Sequence, residues 1–185
     1  MQLSFGQVEQ LLRHLHGVKK RRETMLRSRL QHLQKEDLPP GIAIGRGTRF
    51  QYGIDETFMI VVALELASVR MTAGHAARVV KANWPALRAI VDEGLAIGAT
   101  PKENRGELPA RWAIMAADGL SLLRREGAGE ETAVETIGDT PGLVLAAWAQ
   151  RLATPPATTL VVIDLLARVV QSADFIVSNL GVDID

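Results

Sequence analysis

Between Gly17 and the run Pro39-Pro40-Gly41 lies a segment whose two faces are chemically opposite, and it constrains the fold more than any other. Leu26, Leu30 and Leu33 recur at helical spacing, so at about 100° per residue they share one face. The opposite face carries Lys20, Arg21, Thr24, Arg27, Ser28, Gln31 and Lys35. A helix of this kind buries its leucines against other elements and turns its cations outward. The prolines end it, because proline lacks the backbone donor and pushes the preceding residue out of the helical region.

The flanking segments supply what the leucines pack against. Ser4 and Gln7 have the spacing of a capping box, which predicts a helix over about 5–16 bearing Val8, Leu11, Leu12 and Leu15, with Gly17 as its left-handed end. After Pro40, the β-prone runs Ile42-Ala43-Ile44 and Thr48 to Gly53 flank Gly45-Arg46-Gly47, which predicts a hairpin with Arg46 at its tip and Arg49 on its second strand. Asp55 is the expected N-cap of a third helix through Phe58, Val61, Val62, Leu64, Glu65 and Leu66. Thr72 caps a fourth bearing Ala76, Val79 and Val80; Asn83-Trp84-Pro85 predicts a break or restart before Leu87, Ile90 and Val91.

Gly98, Pro101, Gly106 and Pro109 mark 96–110 as a linker. Beyond it, Arg111 to Ala117 and Leu120 to Leu123 flank Asp118-Gly119, the signature of a second hairpin. A strand is expected from Thr132 to Ile137, a helix from Leu143 to Leu152 after Thr140-Pro141, and a buried strand from Thr158 to Ile163. A terminal helix through Leu165, Val169, Ala173 and Ile176 has an apolar face broad enough for a dimer seam or for internal packing. The expected class is α+β. Residues 1–95 are expected to form a mostly helical winged helix-turn-helix with a β-hairpin wing, and 111–185 a small α+β domain for dimerisation or partner binding.

Charge divides the chain in the same place. Residues 1–54 carry ten Lys and Arg against four Asp and Glu, a net of +6, and the remainder balances this to a formal net charge of zero over 185 residues. A basic first half in a neutral chain points to a local surface for a polyanion. There is no cysteine, which excludes disulfides, thiolate metal sites and cysteine nucleophiles. His14 and His16 lie on different faces of one helix, and His32 and His75 lack neighbours at metal spacing, so no metal or other cofactor is expected. No catalytic motif stands out, and Asp118 and Asp164 read as a turn residue and a helix cap, so an enzyme is not expected. The start lacks a secretory pattern and the longest apolar stretch, Phe58 to Val69, contains Glu65, so the expectation is a cytoplasmic, nucleoid-associated protein without a membrane segment.

The order helix, turn, helix, Pro-Gly hairpin with arginine, helix, turn, helix resembles the MerR-like winged-helix transcription regulators over roughly residues 3–92. The residues that carry the resemblance are Arg29 to Leu38, then Pro40, Arg46, Arg49, Tyr52 and Asp55, with the helix pair Phe58 to Leu66 and Ala73 to Val80 behind the wing. His32 and Leu33 stand where the family has paired tyrosines. The family's long antiparallel dimerisation helix is represented here only by a stretch to about Glu93. The resemblance implies a sequence-specific duplex-DNA-binding regulator acting as a homodimer on a palindromic site. Lys20, Arg21, Thr24, Arg27, Ser28, Gln31 and Lys35 would enter the major groove, with Arg46, Arg49 and Tyr52 on the wing. RNA polymerase or another protein is the expected partner of the C-terminal domain. The alternatives are a DNA-architectural accessory in recombination or phage packaging, and an adaptor whose basic face meets an acidic protein.

Overall fold

A computed structural model describes residues 1–42, 50–68, 71–109, 111–116, 135–137 and 160–184. Leu3–Ser4 (β1) leads into α1 (Phe5–Leu15), and the capping box is formed: Ser4 Oγ accepts from the Gln7 N–H, and Gln7 Oε1 accepts from the Ser4 N–H at 2.9 Å. Gly17 adopts φ +57° and turns the chain. The basic segment then begins as a single 3₁₀ turn, Lys20–Arg22, before α2 (Glu23–Lys35), whose Leu26, Leu30 and Leu33 are buried as their spacing requires.

The second run of the expected hairpin is strand at Gln51–Tyr52 (β2). Its described partner is the N-terminal strand, antiparallel with Leu3 opposite Tyr52 and Ser4 opposite Gln51. Residues 43–49, including Arg46 and Arg49, lie outside the described residues.

Helix α3 (Ile54–Ser68) is buried along most of its length, with every residue from Thr57 to Leu66 buried. Its first turn closes by the Thr57 N–H donating to the Gly53 carbonyl at 3.1 Å, so Asp55 lies inside the helix instead of capping it. The Asp55 carboxylate instead pairs with Arg88 on the next helix.

That helix, α4, is capped by Thr72 as expected but runs unbroken for 27 residues, Ala73–Ala99, with Pro85 inside it. An interior proline costs about 3 kcal/mol. The break predicted at Asn83-Trp84-Pro85 is overridden because Val80, Leu87, Ile90 and Val91 stay in phase across it and are all buried, while Pro85 faces outward. The Asn83 side chain also donates to the Val79 carbonyl at 2.8 Å one turn earlier. The helix therefore does not stop near Glu93, and residues 96–99, read as the start of the linker, are its last turn.

Beyond a 3₁₀ turn at Lys102–Asn104, Trp112–Ala116 (β3) lies between Glu135–Ile137 (β4) and Leu160–Asp164 (β5), antiparallel to both. Both outer strands fall on segments expected to be extended. The expected partner Leu120 to Leu123, the turn Asp118-Gly119 and the helix Leu143 to Leu152 lie outside the described residues. Asp164 caps α5 (Leu165–Phe175), accepting from the Ala167 N–H at 3.1 Å, and a π-helical turn, Ile176–Leu180, follows.

The apolar face of α5 packs internally, on α4 and α1, and its Leu165, Leu166, Val169 and Ala173 join the same core as the leucines of α1 and α2. Gly94 and Gly98, one turn apart, let the two backbones approach: a Cβ at Gly94 would stand 2.6 Å from Val169 Cγ1, and one at Gly98 2.4 Å from Ala173 Cβ. Arg105 secures the end of this seam, donating to the carbonyls of Gly98 and Thr100 at 2.6 Å and to Asp174 Oδ1 at 2.7 Å. Among the described residues, no helix is long and apolar enough to cross a membrane.

Candidate nucleic-acid interface

The face of α2 opposite its leucines is solvent-facing along its whole length. Lys20, Arg21, Thr24, Arg27, Ser28, Gln31 and Lys35 are all exposed. Sixteen residues of nearly continuous helix carry this face across about 24 Å, enough to follow a major groove. Among the described residues, Lys20, Arg21 and Lys35 are engaged in no ion pair, and their charges are left to solvent or to a ligand.

Arg27 differs from its neighbours. Its Nε donates to Glu9 Oε1 at 2.8 Å, and Glu9 is a buried carboxylate on α1. The hydrogen bond that Arg27 donates to Glu9, with the carboxylate's charge, raises the Arg27 pKa still further above its already high ordinary value. Arg27 thus joins α2 to α1, in parallel with the pair Arg13–Glu23 at 2.8 Å. Among the described residues, the remaining members of the face have no side-chain partner.

Tyr52, expected on the wing surface, is a core residue at 2% exposure. Its hydroxyl accepts from Gln34 Nε2 at 3.1 Å, and its ring meets Phe50 edge-on at 5.0 Å. Pairing with Leu3 across β1 and β2 aims the side chain inward, and burial raises its pKa against the smaller opposing effect of Gln34. It ties β2 to α2 and offers no surface to a nucleic acid.

The sequence reading missed Glu9, and the signal for it was present. Glu9 lies about 100° from Val8, on the edge of the apolar stripe of α1, where a carboxylate is retained only with a cation supplied by a neighbour. Glu65 is a second case. It is buried on α3, 2.8 Å from Arg168 Nε on α5 and 3.8 Å from His16 Nδ1, and Arg168 also donates to the Leu15 carbonyl at 3.1 Å. Desolvation lowers the His16 pKa; the Glu65 carboxylate opposes this, and Arg168 and Arg29 reinforce it. Among the described residues no group of three or more metal-binding side chains converges.

Comparison with models of protein families, with curated proteins and with solved structures finds no match.

Proposed function

We propose that this chain binds duplex DNA in a sequence-specific manner, as a homodimeric transcription regulator, through the exposed face of α2 and its preceding 3₁₀ turn. The observation that carries this reading is the combination on one face of free cations at Lys20, Arg21 and Lys35 with hydrogen-bonding side chains at Thr24, Ser28 and Gln31. Cations suit phosphates, whereas Ser, Thr and Gln side chains read base edges. Arg46 and Arg49 follow α2 in sequence and are assigned in this reading to the flanking backbone or minor groove. Tyr52 is withdrawn from the contact surface, and Arg27 both braces the helix and borders the groove.

The test is fluorescence anisotropy with a pool of random duplexes across a salt series. Each lost phosphate contact reduces the salt slope by about one, so Lys20→Ala, Arg21→Ala and Lys35→Ala each flatten it. Gln31→Ala and Ser28→Ala leave the slope in place and change the sequences selected from the pool. Salt-insensitive binding, or none at low salt, would overturn the reading and leave a protein-binding adaptor as the better account of the basic face.

A further inference from the structure

Where α1 ends, the turn at Gly17 swings the chain away before α2 begins, and the space left between turn, α2 and α3 is not filled. It forms a half-open cavity of about 310 Å³ with an apolar wall of Val18, Leu26 and Leu64. Arg22 and Arg29, both exposed, line it together with the imidazole of His16. Among the described residues its lining includes two guanidiniums and no carboxylate. Glu65, the carboxylate nearest His16, does not line it and is already held by Arg168.

A further observation marks the cavity as a ligand site. Met25, also in the lining, leaves 60% of its surface in water, the most of any large apolar side chain among the described residues. A wall that is mostly apolar with cations on one side matches an amphipathic anion. The volume, at the small end of the roughly 300–1,000 Å³ of ligand pockets, limits it to a small molecule.

We propose that this cavity binds a small monocarboxylate with an apolar body, its carboxylate held by Arg22 and Arg29 and its body laid against Val18, Leu26 and Leu64. Arg is the side chain best shaped for this, because its planar fork meets both carboxylate oxygens. A bare inorganic anion leaves the apolar wall wet, and a neutral amphiphile leaves the guanidiniums without a counter-charge. Binding here requires no DNA. Arg22 and Arg29 are not among the residues assigned to the groove, so the site is tested separately from the DNA reading.

The experiment titrates the full chain by calorimetry with octanoate, with 1-octanol and with inorganic phosphate. Octanoate is expected to bind at least tenfold more tightly than either control. R22Q/R29Q, altering two exposed side chains, is expected to weaken octanoate at least tenfold without moving the melting temperature. Val18→Trp, which fills the cavity from a half-buried position and leaves the charge unchanged, is expected to abolish the binding. Phosphate binding as tightly as octanoate would reduce the site to a counter-ion patch. Octanoate affinity indifferent to both variants would place binding elsewhere, and no binding by octanoate would leave the cavity without this ligand; each of these results overturns the proposal.

Discussion

Adding one methyl group at Gly98 tests how the two halves of the chain are joined. An alanine Cβ there would stand 2.4 Å from the Cβ of Ala173, against about 3.5–4.0 Å for relaxed carbon contact. The clashing atom is fixed to the α5 backbone and has no rotamer to escape through, so the helices must separate by about 1 Å or more. Overpacking of a core costs about 1–3 kcal/mol, and a clash with a fixed Cβ belongs at the upper end. The better helix propensity of alanine offsets about 1 kcal/mol of this. Gly98→Ala is therefore expected to destabilise by about 2 kcal/mol, which for a chain of this length lowers the melting temperature by about 4–8 °C. Urea unfolding of the single variants Gly98→Ala and Ala173→Gly and of the double variant forms a cycle. Removing the opposing Cβ should recover much of the loss, with a coupling of at least about 1 kcal/mol. Gly6→Ala, where a Cβ meets nothing within 4 Å, is the control. A Gly98→Ala protein as stable as the wild type, or a cycle without coupling, would refute the close approach of α4 and α5.

Arg27→Ala should lower the urea midpoint more than Arg21→Ala or Ser28→Ala, because it alone strands the buried Glu9 carboxylate; equal midpoints would sink that assignment. Tyr52→Phe should cost about 1 kcal/mol through the lost Gln34 hydrogen bond and leave DNA affinity unchanged, measured by thermal unfolding and anisotropy. Burial works to raise the Asp174 pKa, but the hydrogen bonds and charges of Arg105 and Lys102 outweigh it and hold the carboxyl below its ordinary value. Its contribution to stability is thus complete above about pH 4 and lost as pH falls through the folded value, so Asp174→Asn should match wild type only in acid. The lowered His16 pKa has the same sign: stability fades as pH drops below about 6.5, and His16→Gln should flatten that part of the pH–stability curve.

The parts of the fold legible in the sequence are those fixed by contacts within a few residues. The Ser4–Gln7 capping box, the Leu26–Leu30–Leu33 face and the Thr72 cap each depend on neighbours three or four positions away, and periodicity displays them. Pro85 and Gly98 were misread for the opposite reason. Their local preferences favour interruption, and what keeps α4 intact is packing against α3 and against an α5 that comes some seventy residues later. Within the candidate interface, the exposed face followed from the helical period. Burial of Tyr52 did not, because it depends on a pairing with Leu3 at the far end of the segment. The Arg27–Glu9 bridge was hidden similarly, since a cation on a polar face gives no local sign of which carboxylate will claim it.

The seating of α5 changes what cutting this protein in two would mean. A fragment ending before β5 would keep α1 to α4 yet expose the groove at Gly94 and Gly98 and the buried carboxylate of Glu65, stripped of Arg168. An apolar channel shaped for one particular helix takes up that helix from any molecule able to offer it. Closing the core takes more than that helix, since Ile163 before it and Ile176 after it are buried in the same cluster.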